Sequence, residues 1–356
     1  MSRLLRALAA CALLAPAASA LAFARATTDR TELPSPALDL WWRPRQIAFQ
    51  VNASDFVGAG CAGPEEAAAA VRASFPAWQD AASGGVACTD FMFNDCGATT
   101  RTDLGYDQGD PGNNVNLVVF RRGLCSLHAD PLCQNPPLTA RGRPDFSACI
   151  AKYNCWADDD RDHGSNTIAL TTVTWLQATG EIVDADMELN GWNGDTSNPA
   201  GVYFTCTATT TLCSAVPYGA SGCADTDVQN AVTHEAGHIL GLQHVCTGAG
   251  DETGPCPAGG SVMEATADRG DLTKRTLTQD DVAAVCGIYP AGGRTVTGPT
   301  TGLPGQPAAQ ILVGVSSPQS CPVPKRDSGC GAGGGGALAL LAVLPLALRR
   351  RRARRS

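Results

Sequence analysis

The sequence predicts an α+β domain, and three observations carry that prediction. Several segments are patterned as strands: 46–52, where Ile47, Phe49 and Val51 alternate with polar or small residues, then 86–93, 114–120, 166–175 and 180–190. A helical pattern fills 64–78, with Pro64 at its first turn, Glu65 and Glu66 near its start, and Val71, Phe75 and Trp78 along one stripe. A second helix, expected over 228–240 with an N-cap drawn from Asp225-Thr226-Asp227, leads into a histidine-rich stretch.

That stretch is His234-Glu235-Ala236-Gly237-His238-Ile239-Leu240-Gly241-Leu242-Gln243-His244. On a helix, His234 and His238 stand one turn apart and face the same way. Two imidazoles at that spacing can grip one zinc ion, and Glu235 can reach a water on the metal. Gly241 can take a positive φ, so the helix can stop there and the chain can turn back with His244 as a third ligand. Three histidines leave a fourth position open, the pattern of a catalytic zinc site. The chain has five His, and three lie in these eleven residues. A helix with solvated histidines is the bland alternative.

The stretch resembles the zinc-binding signature of the metzincin metalloproteases, H-E-x-x-H-x-x-G-x-x-H. That clan carries a downstream methionine turn beneath the metal, and Ser261-Val262-Met263 places Met263 nineteen residues after His244. Residues 277–290, beginning Leu277-Thr278-Gln279-Asp280-Asp281-Val282, resemble the closing helix of the matrixin branch. The resemblance covers roughly residues 40–290. It implies a metzincin catalytic domain: a mixed twisted sheet, the active-site helix under it, and a small C-terminal subdomain ending in a helix. Residues 166–175 would then be the sheet edge along the cleft, where Ile168, Ala169 and Leu170 pair with an extended peptide. Residues 264–269 would line the pocket for the side chain after the cut bond. Matrixins with a second, structural zinc place histidines where this chain has Leu170 and Val183, so a second zinc is not expected, and His163 reads as a surface residue. The P-R-C-G-x-P-D segment by which matrixins cap their zinc is missing before the domain.

Both termini read as processing segments. Residues 1–24 carry Arg3 and Arg6, an Ala/Leu run and Ala18-Ser19-Ala20, a secretory signal peptide; cleavage after Ala24 or Ala26 also fits. Residues 25–40 are a short leader, 41–290 the protease-like domain, and 291–328 a Gly/Pro/Thr-rich linker. Residues 329–356 hold Cys330, an apolar run to Leu348 and six arginines. They resemble the C-terminal sorting tail of myxobacterial surface proteins, which implies attachment to the cell surface through Cys330; a plain membrane anchor is the alternative.

Sixteen Cys in a secreted chain imply disulfides. Setting aside Cys11 and Cys330 leaves thirteen between Cys61 and Cys286, plus Cys321. Either Cys321 pairs back to the domain or one thiol stays free. Near neighbours offer local pairs: Cys88 with Cys96, Cys125 with Cys133, Cys149 with Cys155, Cys206 with Cys213, and Cys246 with Cys256. Residues 121–166 form a long Cys-rich insertion, and Asp158–Asp162 at its end is a candidate calcium site or a solvated acidic loop.

The net charge of −8 includes eight arginines in the two terminal segments, which have no acid, so the rest of the chain is near −16. Such a surface repels nucleic acid and anionic membrane. The functional expectation is a monomeric zinc endopeptidase with protein substrates, touching membrane only through the unprocessed tail. A non-catalytic surface binding protein is the alternative, and the intact Glu235 argues against it.

Overall fold

The computed structural model describes residues 23–28, 37–58, 60–111, 114–139, 142–158, 163–209, 211–213, 222–246, 256–257, 259–297, 311–314, 316–322 and 348–352. In chain order the strands are β1 (Ala24–Arg25), β2 (Trp41–Trp42), β3 (Gln46–Asn52), β4 (Ala82–Ser83), β5 (Val86–Ala87), β6 (Met92–Ala98), β7 (Asn116–Arg122), β8 (Ala169–Leu176), β9 (Glu181–Gly191), β10 (Phe204–Thr205), β11 (Thr226–Asp227), β12 (Leu242–Gln243), β13 (Arg294–Thr297), β14 (Ile311–Gly314) and β15 (Leu348–Arg352). The α-helices are α1 (Pro64–Ser74), α2 (Pro76–Gln79), α3 (Pro131–Gln134), α4 (Ser147–Tyr153), α5 (Val228–Ile239) and α6 (Gln279–Ile288).

The main sheet runs β15-β8-β9-β7-β3-β6, with β2 also paired to β9. β8 is antiparallel to both of its neighbours, and the remaining pairings are parallel. The fold is therefore α+β with a mixed, mostly parallel sheet. β7 is apolar enough to be buried on both faces, and it lies between β9 and β3 with only Arg122 exposed. Helices α1 and α5 pack on each other, α1 against β3 and α5 against β8. Phe75 sits between Phe49 and Phe93, with ring centroids 4.4 and 4.5 Å away. Each such fully buried aromatic contributes about 1.5–3 kcal/mol.

Two elements differ from expectation. The helix over 64–78 is two helices, because Pro76 lacks the N–H that would continue α1. Its stripe is as expected: Val71, Phe75 and Trp78 are buried. The strand expected over 86–93 is instead the short hairpin β4–β5 followed by β6. Between them the chain is committed to the end of α6: Thr89 Oγ1 donates to Tyr289 O at 2.7 Å, and Ala291 N donates to Cys88 O at 3.0 Å.

His163 is not at the surface. It is fully buried, edge-on to Trp156, with Nε2 3.0 Å from Glu188 Oε2. Arg121 Nε donates to the other oxygen of Glu188 at 2.8 Å. One carboxylate of β9 thus anchors both the end of β7 and the end of the insertion that follows it.

Seven disulfides join fourteen cysteines: Cys61–Cys206, Cys88–Cys286, Cys96–Cys321, Cys125–Cys155, Cys133–Cys149, Cys213–Cys223 and Cys246–Cys256. Of the local pairs, only Cys246–Cys256 forms. Cys213–Cys223 is a second local bridge ten residues long, whereas Cys61, Cys88 and Cys96 meet distant partners that the fold brings alongside. The four cysteines of the insertion pair as one bridge nested inside another around a small buried cluster. Cys321 is not free. Beyond residue 290, where a linker is expected, β13 pairs with β14, and Gln319 N donates to Gln46 O at 2.9 Å. Cys96–Cys321 then ties this segment to β6.

Seven disulfides mark an extracellular protein. Among the described residues, no helix is long and apolar enough to cross a membrane. Residues 1–22, Cys330 and most of the apolar tail lie outside the described residues, as do positions 159–162 of the acidic run. Non-reducing peptide mapping should recover the Cys96–Cys321 bridge, and Cys321→Ser should cost about 2–4 kcal/mol in chemical denaturation. Recovery of a free thiol at either position would contradict this pairing.

Candidate metal centre

Helix α5 carries the site, and its ends are fastened by side chains from across the fold. At its start, Asp227 Oδ1 accepts from Asn230 N at 2.7 Å and from Arg275 Nε at 2.8 Å. A carboxylate there satisfies an orphan donor and complements the helix dipole. Farther along, Trp78 Nε1 donates to Thr233 O at 2.9 Å, and Trp42 Nε1 donates to Ile239 O at 2.7 Å. Tyr289 Oη donates to Leu240 O at 2.9 Å and accepts from Trp42 N at 3.2 Å. The last carbonyls of a buried helix are costly when unpaired, so Trp42 and Tyr289 fix where α5 ends, while Trp78 holds its middle.

Gly241 then has φ +86°, and a Cβ there would lie 2.7 Å from Leu40 O. Only glycine fits both the left-handed backbone and that approach. The turn brings His244 back over α5, as the spacing predicts. His244 Nε2 lies 3.2 Å from His234 Nε2 and 3.1 Å from His238 Nε2. All three histidines are buried.

The tautomers follow from the second ring nitrogens. His234 Nδ1 is 2.5 Å from Val262 O, and His238 Nδ1 is 2.9 Å from Leu242 O. A carbonyl can only accept, so both Nδ1 atoms carry the proton and both Nε2 atoms present lone pairs. His244 has one Nε2 and can satisfy at most one of them by donation. A cation among the three satisfies all at once. Tetrahedral zinc with bonds of about 2.05 Å needs N···N edges of about 3.3 Å, close to the two distances found. Burial holds His234 well below the ordinary imidazole pKa, with the nearby Lys274 and the other two histidines adding to the effect. Burial also lowers His238, against the pull of Glu235. Neutral imidazoles are what a metal requires.

Beneath the histidines runs the Ser261-Val262-Met263 turn. A Cβ on Gly237 would lie 2.2 Å from Met263 Sδ, so Gly237 is the gap in α5 that the methionine fills. Asp281 of α6 holds the turn: it accepts from Ser261 Oγ at 2.6 Å and from Val262 N at 3.1 Å. The same carboxylate caps its own helix through Thr278 N at 2.8 Å. Val262 O in turn orients His234. Met263 O accepts from Val245 N at 3.0 Å, tying the turn to the residue after His244.

Glu235 is buried beside the histidines, and Thr171 Oγ1 of β8 donates to its Oε2 at 2.6 Å. Thr171 is a site residue that no motif flags; only the register of β8 against α5 places it there. Lys274 is another. Its buried ammonium donates to Glu264 O and lies 3.5 Å from His234 Nδ1. Of the expected edge residues, Ala169 and Leu170 are buried in β8. Ile168 lines a small recess beside His234, together with Asn230, Ala231, Ala267 and Lys274. β15 lies along Thr172–Leu176 and stops short of Ala169–Thr171.

Comparison with protein-family models finds none that matches this chain, and comparison with curated proteins finds no match either. The histidine group itself consists of three buried imidazoles that converge on one point and could hold a metal ion.

Two outcomes follow. Gly237→Ala should destabilise the fold by about 1–3 kcal/mol through the clash with Met263. In urea unfolding, adding Met263→Ala to Gly237→Ala should recover part of that loss, and strict additivity would argue against the contact. The metal-free protein should also be acid-sensitive. His234 and His238 have depressed folded pKa values, so below about pH 6.5 the unfolded chain binds more protons. Stability with chelator present should be full above pH 6.5 and should fall as pH drops below it. Equal unfolding midpoints at pH 7.5 and 5.5 would contradict this.

Proposed function

We propose that this chain is a secreted, zinc-dependent endopeptidase of matrixin-like type, and that the tail containing Cys330 attaches it to the cell surface. The observation that carries the reading is the convergence of three imidazole Nε2 atoms beside a buried carboxylate, Glu235. When bound, a divalent ion such as zinc supplies Lewis acidity: it polarises a carbonyl and brings the pKa of water towards about 7.

The chain's own groups do the rest. His234, His238 and His244 hold the ion through Nε2, each as a neutral ring. Glu235 takes a proton from the attacking water and passes it to the leaving nitrogen. Thr171 Oγ1 binds Oε2 of that carboxylate and so restricts its rotation. Met263 supports the site from beneath and is not a ligand. An extended peptide lies along Ile168, Ala169 and Leu170, where main-chain pairing allows many sequences. The recess lined by Ile168, Asn230 and Ala267 takes the side chain after the cut bond.

The full chain should degrade an unstructured protein such as casein, and a chelator should stop it. Glu235→Ala should lower the rate by about 10²- to 10⁴-fold while the protein still binds one equivalent of metal. Undiminished cleavage by the Glu235→Ala protein would sink the mechanism. A metal-loaded wild type inert against casein and against a peptide library would favour the binding-protein alternative.

A further inference from the structure

The N-terminal segment, expected as a short leader, is built into the metal loop. β1 pairs antiparallel with β12, the two residues just before His244: Ala24 lies opposite Gln243, and Arg25 opposite Leu242. Ala26 N donates to Gly241 O at 2.8 Å. On its other side the segment pairs with the chain entering the domain, through Leu40 N to Ala26 O at 2.8 Å and Thr28 N to Leu38 O at 2.7 Å. Residues 24–28 therefore lie between the turn that carries His244 and the chain that becomes β2.

Arg25 locks this arrangement. Its side chain is 4 % exposed and lies 3.3 Å from Asp39. It donates to Leu40 O at 2.6 Å and to Val296 O at 3.2 Å. Leu40 O is the atom that Gly241 approaches, and Leu242 O is the acceptor that fixes His238. Removing the arginine would take away the ion-pair partner of Asp39 and the donors to Leu40 O and Val296 O together. A covering pro-segment would run across the three Nε2 atoms; these residues instead hold the turn from outside.

We propose that residues 23–28 are a permanent strut of the metal site, with Arg25 as a positioning residue that fixes the turn between His238 and His244. The signal is then cut before Phe23, which agrees with Ala18-Ser19-Ala20 and not with the alternatives at Ala24 and Ala26. Release of this segment inactivates the protein; it does not activate it. The inference rests on the three-histidine group binding metal.

The test compares the full chain, a Δ23–28 deletion, Arg25→Ala and Arg25→Lys by titration with cobalt(II), whose visible spectrum reports coordination geometry. Near-UV circular dichroism and unfolding of the metal-free forms follow the fold in parallel. Loss of a partner that orients a metal ligand typically costs about 10- to 100-fold in affinity. That loss is expected for the deletion and for Arg25→Ala among folded molecules, with Arg25→Lys between them and the wild type. If the deletion fails to fold, a specific protease site placed between residues 29 and 36 allows the folded chain to be nicked and the strut displaced afterwards. Unchanged cobalt affinity in folded Arg25→Ala and in the stripped nicked protein would overturn the proposal. So would a secreted, active protein whose N-terminus lies beyond Arg25. An intact chain that binds no cobalt would remove this inference and the peptidase reading together. One that binds cobalt but cleaves nothing would remove only the latter.

Discussion

The Nε2 lone pairs of His234 and His238 and the Nε2 of His244 crowd one point, and the elements around α5 are arranged to hold them there. The rings cannot turn away, because the Nδ1 atoms of His234 and His238 are committed to Val262 O and Leu242 O. Neither carbonyl belongs to α5, so the donor set exists only once the Ser261–Met263 turn and β12 are in place. Asp281 holds the first and β1 holds the second. The site is thus a tertiary object, although its ligands lie within eleven residues.

The same dependence explains where polar groups are buried. Trp42, Trp78 and Tyr289 each place a ring in the core and a donor on a carbonyl of α5 or of its C-cap Leu240. Burial pushes the Tyr289 hydroxyl up to about 12, so it stays protonated and remains a donor. Asp227 and Asp281 do the equivalent work for backbone N–H groups at the starts of α5 and α6. An aromatic with one polar atom suits this role, because it supplies apolar area and pairs a group that would otherwise be costly to bury.

What was legible in the sequence is what local geometry determines. A one-turn spacing sets His234 and His238 on one face, and Gly241 is needed where φ turns positive. The strand and helix patterns at 46–52, 114–120 and 228–240 need only a few neighbours to read. What stayed hidden depends on register and topology. Thr171 meets Glu235 only because β8 lies against α5 at one particular offset. His163 looked solvated because nothing nearby in sequence announces Glu188. Cys61, Cys88 and Cys96 bond to residues 145, 198 and 225 positions away, distances at which spacing carries no information. Nothing in the short leader's sequence marks Arg25, whose two carbonyl acceptors and ion-pair partner meet it only in the fold.

The choice between hydrolase and binding module turns on Glu235. A carboxylate kept 1 % exposed, next to His234 in the chain and bound by a threonine hydroxyl, is expensive to desolvate. A site that only bound a metal for structure would gain more from a fourth closed ligand or from an apolar side chain at this position. A general base, in contrast, must be close to the reacting water, shielded and held in orientation. Under the proposed peptidase reading, Thr171 supplies the orientation, the packing of α5 under β8 the shielding, and the position next to His234 the proximity. The burial cost is intelligible when all three serve proton transfer at a metal-activated water, and none of them is needed for adhesion.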